Sequence, residues 1–440
     1  MATFSIRELL DATGGTLYAP ASFGDPLVTG VTIDTRTLEP GMAYVAIRGE
    51  TFDGHRFIPN AMEKGAVLSI SAVDVPTPHI RVDDTVLAYQ NIAKMHRERF
   101  DLPVVCITGS VGKTTTKEMV KAVLETTFRT HATVGNLNNQ TGVPTTVLRL
   151  TNEHEVSVME LGTNHFGEID AIARVAQPTI CLFTNIGEAH IEFFGSREGI
   201  FRGKAEMLRH MRPNGSVIAN GDDDLLCRLK GAITYGLSEG VDVRAVDLQE
   251  DGLLDVSFTA ELFGKRLPVT LHVAGTHMVR NALAALAVAH LTGVSDDDAL
   301  RALSEFRPGG GRSELIRTDR FTIIDGSYNC NPTSMEAALN VLKQASGRRV
   351  CIFGDMLELG PDAPAFHARI GAIAKDCGID RMITVGALAK YAAFDEADAF
   401  DSVDSLLEAL PRLLRDGDTV LVKASQGMHL KRVVDALQTI

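Results

Sequence analysis

One short stretch, "VVCITGSVGKTTTKEM" at residues 104–119, constrains the fold of this chain more than any other. An apolar run that predicts a buried strand ends at a glycine-rich turn, and a helix-like pattern follows. Strand, glycine turn and helix in this order predict a phosphate-binding loop, because glycine lets backbone N–H groups approach phosphate oxygens and the helix directs its positive end toward them. The usual spacing G-x-x-x-x-G-K-[ST] would need glycine where this chain has Ile107. The loop is therefore shorter than usual.

The residues of this loop predict a nucleotide site. Lys113 would neutralise the β- and γ-phosphates, and the Thr114 hydroxyl would reach Mg²⁺. The alternative is a glycine turn that merely precedes a helix, but strand, loop and helix together favour phosphate binding. We expect the following residues to bind the nucleotide: Gly109, Ser110, Val111, Gly112, Lys113, Thr114 and Thr115.

Apolar runs alternate with helix-like segments from residue 103 onward, which predicts parallel sheets covered on both faces. A helix predicted over 85–100 is broken at Asp101-Leu102-Pro103, so the first boundary lies near 101. The flexible run "RPGGGR" at 307–312 predicts a hinge. We therefore predict an α/β protein of three domains: a small α/β domain at 1–101, a central parallel-sheet domain with the phosphate-binding loop at 102–311, and a third α/β domain at 312–440.

Charge and composition exclude several classes of partner. The formal net charge is −13 and no basic block occurs, so we expect no nucleic-acid partner. The apolar helical stretch at 281–295 is shorter than the about 20 residues that a membrane span needs, so we expect no membrane span. The 6 cysteines are scattered without a C-x-x-C pair, which indicates reduced thiols and a cytoplasmic protein. We expect a monomer.

Candidate metal ligands lie at predicted strand ends, where parallel sheets bind their ligands. Glu160 ends the apolar run "VSVM", and a carboxylate there can hold Mg²⁺, although an ordinary strand-end acid is the alternative. His190, in "NIGEAHIEFFGS", also follows a predicted strand, but a lone histidine is usually structural. Lys204, in "FRGKAEM", has the composition of a helix-surface lysine.

Two further groups suit polar ligands. Asn138 and Asn139, in "VGNLNNQTGVP", either bind neutral polar groups and oxyanions or form a solvated turn. Arg36 and Arg48 lie beside predicted turns of the first domain. They are suited to bidentate phosphate binding, with ordinary surface arginines as the alternative.

Taken together, these motifs resemble the Mur ligase family, and the resemblance covers nearly the whole chain. The shortened T-G-S-x-G-K-T loop is the family's own form, which explains the displaced glycine. Four segments, "GNLNNQTGVP", "ELGTNHFGEI", "NIGEAHIEFFGS" and "DGSYNCNPTSM", are similar to the branch that joins D-alanyl-D-alanine to UDP-N-acetylmuramoyl-tripeptide with ATP. The resemblance implies an N-terminal UDP-substrate domain, a central ATPase domain and a C-terminal Rossmann-like domain.

The resemblance also implies roles for individual residues. Thr114, Glu160 and His190 match the family's Mg²⁺-binding positions. Lys204 matches the lysine that carries a CO2-derived carbamate, which turns a cation into a carboxylate-like ligand and replaces the surface interpretation. On the nucleotide side, the resemblance matches His277, Asn281 and Arg312. On the uridine side, it matches Thr35 and Arg36. Further candidates for substrate binding are Arg48, Asn138 and Asn139.

Three positions depart from the family's pattern. The resembling branch commonly has an acid at the position of Gly326, and here Asp325 stands one residue earlier. We expect Asp325 to take this catalytic role if the strand has ended or a bulge re-aims it, since adjacent strand residues face opposite ways. The alternative is that Asp325 caps the helix that begins near Pro332. The other departures are Met278 and the segment 422–428, "VKASQGM".

The implied reaction uses ATP to activate a carboxylate. The γ-phosphoryl group would move to the carboxylate of the tripeptide, with Lys113 and Mg²⁺ stabilising the charge, and the amine of D-alanyl-D-alanine would attack the acyl phosphate. Three alternatives stay open. They are a sibling ligase that adds an amino acid or a folate-type glutamate ligase, a P-loop switch, and a non-catalytic UDP-sugar binder. No N-K-x-D motif follows the loop, which disfavours the switch.

Overall fold

The computed structural model of the chain describes residues 2–49, 52–253, 255–273 and 275–440. Within these residues the strands form three sheets, one in each predicted domain, so the three-part α/β architecture is confirmed. The limits at 101 and 311 stay a prediction. Two compact units make up the chain: Met1–Ile107, Phe128–Cys181 and Gly203–Ser216 form one, and Thr108–Thr127, Leu182–Arg202 and Val217–Ile440 form the other.

The N-terminal region contains α1 Ile6–Thr13, β1 Thr16–Tyr18, β2 Val31–Thr32, β3 Ala43–Val45, α2 Ile58–Glu63, β4 Leu68–Ser71, β5 His79–Arg81 and α3 Thr85–Arg97. The sheet order is β1-β5-β4-β3-β2, in which β2 to β5 run parallel and β1 is antiparallel to β5. Asp84 caps the start of helix α3, because its carboxylate accepts from two backbone N–H groups. The helix ends three residues before the predicted end at 100.

The central region contains β6 Val104–Thr108, α4 Lys113–Glu125, β7 Thr130–Ala132, α5 Gly142–Val147, β8 Val156–Glu160, α6 Glu168–Ala176, β9 Ile180–Phe183, α7 Ile191–Phe194, α8 Arg197–Ala205, β10 Ser216–Asn220, β11 Ile233–Gly236, β12 Val243–Asp251, β13 Asp255–Leu262, β14 Lys265–Leu271, α9 Thr276–Thr292 and α10 Asp296–Glu305. The sheet order is β14-β13-β12-β11-β10-β9-β6-β8-β7. Strands β6, β8 and β9 are buried along their whole length, as their continuous apolar sequences predict.

The central sheet ends in an antiparallel extension that the sequence analysis did not predict. Strands β12, β13 and β14 pair antiparallel in succession. In β13, buried residues alternate with partly exposed ones, which is the pattern of a sheet with one face on a core.

Helix α9 carries the apolar stretch that was predicted to be helical. Every residue from 282 to 289 is buried, so its apolar composition reflects burial on all sides. The helix stops at Gly293, which has φ +80°. In the part of the chain that the structure covers, no helix is long and apolar enough to cross a membrane.

The C-terminal region contains β15 Glu314–Arg317, β16 Thr322–Gly326, α11 Pro332–Lys343, β17 Arg349–Gly354, α12 Ala363–Asp376, β18 Arg381–Val385, β19 Ala399–Phe400, α13 Val403–Leu413, β20 Thr419–Lys423 and α14 Lys431–Leu437. The order is β15-β16-β20-β17-β18-β19, parallel except for β15 against β16.

Both faces of this C-terminal sheet carry a core, because neighbouring strand residues point to opposite sides. Ile324 and Cys351 pack with α11 and α12, whereas Ile323 and Ile352 pack with α13 and α14. The Rossmann-like, doubly covered sheet that the resemblance implied is confirmed. All 6 cysteines of the chain lie in described residues and are free thiols, and Cys227 alone among them is exposed.

Candidate active site

The phosphate-binding loop connects the end of β6 at Thr108 to the start of α4 at Lys113. Gly109 has φ +153° and Gly112 has φ +84°, conformations that residues with a Cβ rarely adopt. A Cβ at Gly109 would lie 1.9 Å from Thr184 Oγ1, so the loop backbone runs directly against the residue after β9. Both conformation and space therefore require glycine here, as a backbone cradle for an anion does.

Two residues after β9 hold the loop in shape, and the sequence analysis did not identify them. The Asn185 side-chain oxygen accepts from the Val111 N–H at 2.9 Å, and the Asn185 carbonyl accepts from the Ser110 N–H at 2.9 Å. The Thr184 hydroxyl donates to the Val111 carbonyl at 2.6 Å. The available signal was their position at the carboxyl end of an apolar strand.

Two side chains of the loop fit a nucleotide phosphate. Lys113 Nζ donates to the Gly109 carbonyl at 2.8 Å, which draws the ammonium group back over the loop. Ser110 is 6% exposed, and its hydroxyl has no hydrogen-bond partner among the residues described. A buried hydroxyl without a partner is costly, and a phosphate oxygen would satisfy it. The loop therefore suits a nucleotide.

Helix α9 supports the loop from its other side. Asn281 Oδ1 accepts from the Thr116 hydroxyl at 3.1 Å and would lie 3.2 Å from a Cβ at Gly112. The side chain of Asn281 thus contacts the loop and α4. One turn earlier, burial and the neighbouring Lys423 and Arg280 charges lower the pKa of His277 to about 4, so its imidazole is neutral at pH 7.

A cavity of about 410 Å³ opens beside the first turn of α4. It brings Thr114 and Thr115 of the loop together with Arg312 of the predicted hinge, and Phe306 and Pro308 supply apolar surface. The Arg312 guanidinium carbon lies 3.6 Å from the centre of the Tyr328 ring. The cavity combines apolar walls with polar groups, which suits a heteroaromatic base joined to phosphates.

Glu160 lies at the end of β8, in register with Ile107 of β6. It is 2% exposed, and Asn138 Nδ2 donates to its Oε1 at 2.7 Å, so the predicted substrate-binding amide orients this carboxylate. Asn139 uses its side-chain oxygen to accept from the Thr141 and Gly142 N–H groups. For Asn139 the geometry favours the turn alternative.

Lys204 is 1% exposed in α8, so the helix-surface interpretation from composition is wrong. Burying an ammonium group is costly unless nearby groups compensate its charge or the charge is removed. The structure therefore places the amine of Lys204 inside the protein and not on a solvated helix surface.

His190 follows β9 and begins α7 with φ +60°. Its Nδ1 is hydrogen-bonded to Glu358 Oε2, a partner that the sequence analysis did not predict. Nothing in the local sequence connects two residues so far apart in the chain.

The four predicted metal ligands belong to different parts of the fold. Thr114 and His190 lie in one compact unit, and Glu160 and Lys204 lie in the other. Over the described ranges, no group of three or more His, Cys, Asp or Glu side chains is placed to hold a metal ion. The predicted ligand set contains only one carboxylate, from Glu160, and one histidine, His190. The other ligands of Mg²⁺ would be the Thr114 hydroxyl, a carbamate on Lys204 and phosphate oxygens, and Mg²⁺ accepts such oxygen donors.

Of the predicted substrate-binding residues in the first domain, Arg36 and Arg48 are exposed and Thr35 is partly buried, and each contacts a neighbour. Arg36 forms a bidentate pair with Asp34, with Nη2 to Oδ2 at 2.7 Å, and this hydrogen bonding lowers the pKa of Asp34. The Thr35 carbonyl accepts from Lys64 Nζ at 2.7 Å. Arg48 Nε lies 3.8 Å from an Asp53 carboxylate oxygen.

Asp325 does not meet the condition set for its catalytic role. Strand β16 continues through Gly326, and Asp325 is fully buried, with Lys431 Nζ at 3.2 Å from its Oδ2. Its Oδ1 accepts from the Ser327 N–H at 2.9 Å. The capping alternative is wrong, because Asn331 caps α11. The contacts of Asp325 are those of a structural carboxylate, and its catalytic role stays a prediction.

Lys423, in the departing segment 422–428, is a buried cation that the sequence analysis left without a role. Its Nζ donates to the Asn329 carbonyl at 2.8 Å, and burial lowers its pKa. The neighbouring Ser425 hydroxyl accepts from the Leu357 N–H at 2.9 Å. The segment thus braces the loops that follow β16 and β17.

Comparison with known protein families matches three models in succession along the chain. The Mur ligase family, catalytic domain, matches residues 27–97. The Mur ligase middle domain matches residues 107–289, and the Mur ligase, glutamate ligase domain matches residues 311–426.

Individual proteins match over nearly the whole chain. UDP-N-acetylmuramoyl-tripeptide–D-alanyl-D-alanine ligase of Bacillus subtilis is 37% identical, with 98% of each chain covered. The crystal structure I of MurF from Acinetobacter baumannii has a TM-score of 0.93 at 34% identity, covering 100% of both chains. A MurF ligase from Thermotoga maritima in complex with ADP has a TM-score of 0.84 at 26% identity, covering 93% of this chain and 97% of its own.

Proposed function

The chain belongs to the Mur ligase family, and from this premise we infer that it is an ATP-dependent ligase that joins D-alanyl-D-alanine to UDP-N-acetylmuramoyl-tripeptide in peptidoglycan synthesis. The observation that carries this inference is similarity over the whole chain to ligases of that one specificity. The phosphate-binding loop, held in shape by Thr184 and Asn185, also supports this inference.

We propose domain limits of 1–101, 102–311 and 312–440, supported by family matches that end at 97 and begin at 107 around the first limit and by a match that begins at 311, at the second. Gly310 and Gly311, with φ +68° and +72°, lie at the second limit and suit a hinge. Closure about such a hinge would exclude water from an intermediate that hydrolyses readily. We also propose that the protein works in the cytoplasm as a monomer.

For the nucleotide, we propose that the backbone of residues 109–112 and the Ser110 hydroxyl hold the phosphates and that Lys113 neutralises the charge that develops during transfer. The base would lie in the cavity lined by Arg312 and Phe306. Asn281 would keep Gly112 and α4 in place.

For the metal, we propose that Thr114, Glu160, His190 and a carbamate on Lys204 hold Mg²⁺. Bound Mg²⁺ would supply charge neutralisation at the phosphate oxygens. Burial of Glu160, its orientation by Asn138 and burial of Lys204 support this set.

In the proposed reaction, a carboxylate oxygen of the tripeptide attacks the γ-phosphorus, and the bond to the β,γ-bridging oxygen breaks, releasing ADP. The amine of D-alanyl-D-alanine attacks the acyl carbon, loses a proton and displaces inorganic phosphate. Lys113 stabilises the first step, and residues 35, 36 and 48 are proposed to hold the UDP part.

Phosphate release tests the function directly. Release should require ATP, the UDP-linked tripeptide and D-alanyl-D-alanine together. Replacing D-alanyl-D-alanine with single amino acids or glutamate tests the sibling and folate-type ligases. Nucleotide hydrolysis without the peptides would indicate a switch, and no hydrolysis at all would indicate a binder.

A further inference from the structure

The side chain of His190 is held by a carboxylate from beyond the predicted hinge. His190 Nδ1 and Glu358 Oε2 are hydrogen-bonded, and both residues lie in the same compact unit. Glu358 follows β17 of the C-terminal sheet, 168 residues along the chain. A residue of the C-terminal region therefore sets the orientation of an imidazole in the central region.

The chemistry of this bond determines which nitrogen of His190 is available. An ionised carboxylate can only accept, so Nδ1 carries the proton. In the neutral imidazole, Nε2 then has the free electron pair that a metal ion needs. Carboxylates that fix the tautomer and ring orientation of a metal-binding histidine in this way are common in metal sites.

The backbone at both residues is unusual. His190 has φ +60° and Glu358 has φ +62°, in a left-handed region that residues other than glycine seldom occupy. Such conformations persist where the surroundings enforce them, and they cluster at functional sites. Both members of this hydrogen-bonded pair have this backbone.

The same loop has a second, separate attachment to the C-terminal region. Glu188 accepts from the Thr333 hydroxyl at 2.9 Å and from Arg369 Nη2 at 3.1 Å. Ile191 packs against the apolar core beneath α11 and α12. The loop is therefore docked by contacts that do not involve the imidazole, which allows docking and orientation to be tested separately.

We propose that Glu358 is a positioning residue that orients His190 for the metal and so makes the metal site complete only when the C-terminal domain is docked. This rests on the proposed function, in which His190 is a ligand of Mg²⁺. The metal site would then form only when the C-terminal domain docks. ATP would therefore not react before the domains close.

Binding of Mn²⁺ as a probe, measured by electron paramagnetic resonance with ADP present, tests the proposal without relying on activity. Glu358→Ala should weaken Mn²⁺ binding about 10- to 100-fold. Glu358→Gln should keep most of the affinity, because an amide oxygen still accepts from Nδ1. The matched control Arg369→Gln, which loosens the same docked loop, should bind Mn²⁺ like the unaltered protein.

Normal Mn²⁺ affinity in Glu358→Ala would overturn the proposal. An equal loss of Mn²⁺ affinity in Arg369→Gln would also overturn it, because docking of the loop alone would then explain the loss. His190→Ala separates the ligand role proposed for His190 from the positioning role proposed for Glu358. If it binds Mn²⁺ normally, the proposed ligand role of His190 fails; if it weakens binding while Glu358→Ala does not, only the positioning role fails. Glu358 is partly exposed, so these variants should fold, which thermal unfolding would verify.

Discussion

Replacing Gly109 with alanine tests whether the shape of the phosphate-binding loop is required. The new Cβ would lie 1.9 Å from Thr184 Oγ1, whereas ordinary contacts begin at 3.4 Å, so one of the two groups must shift by about 1.5 Å. Because the Thr184 hydroxyl also donates to the Val111 carbonyl, moving either group displaces the loop. Backbone strain at φ +153° adds about 1–3 kcal/mol. A misplacement of about 1 Å can lower turnover about 100-fold.

Isothermal titration of ADP and steady-state turnover would measure the effect of Gly109→Ala. Gly135→Ala is the matched control, since Gly135 also has positive φ, +58°, but a Cβ there meets nothing within 4 Å. The control should lose about 1–2 kcal/mol of stability from its left-handed backbone and keep its ADP affinity. Unchanged ADP affinity and turnover in Gly109→Ala would refute the reasoning about the loop.

Three further predictions concern single side chains. Lys113→Ala should abolish ligation while the melting profile stays unchanged, because its ammonium group donates to the loop backbone and is placed to neutralise phosphate charge; near-normal turnover would contradict the nucleotide assignment. Lys204→Ala should lose activity and regain part of it with short carboxylic acids but not with chloride, since a carboxylate can occupy the carbamate's place. Because burial lowers the pKa of His277 to about 4, the unfolded chain binds a proton below pH 6.5 that the folded chain does not. Urea unfolding should therefore show stability falling by up to about 3 kcal/mol between pH 6.5 and 4, and less so in His277→Asn.

Local sequence was sufficient for the features that depend on neighbouring residues. The strand, glycines and helix of residues 104–119 determine the loop through backbone conformation, so it could be predicted without the fold. The doubly covered C-terminal sheet followed in the same way from its continuous apolar strands. The antiparallel extension was missed, although the alternation along β13 was a readable signal.

The features that local sequence could not indicate depend on residues far apart in the chain. Lys204 has the local composition of a surface residue, and only packing makes it 1% exposed. Glu358 meets His190 across 168 residues, which no local pattern indicates. Asp325 was predicted to be catalytic because it lies one residue before the position where the resembling ligases have an acid. In the structure the strand continues past Asp325, and its carboxylate pairs with Lys431.

Transfer of an isotopic label tests the central claim most directly. The tripeptide carboxylate is prepared with both oxygens as ¹⁸O and incubated with ATP and D-alanyl-D-alanine, and the products are analysed by mass spectrometry. If the carboxylate accepts the γ-phosphoryl group, each new amide should keep one ¹⁸O and each released phosphate should carry the other. Formation of the pentapeptide with unlabelled phosphate would contradict the acyl phosphate route, and release of phosphate without pentapeptide would contradict the ligase itself.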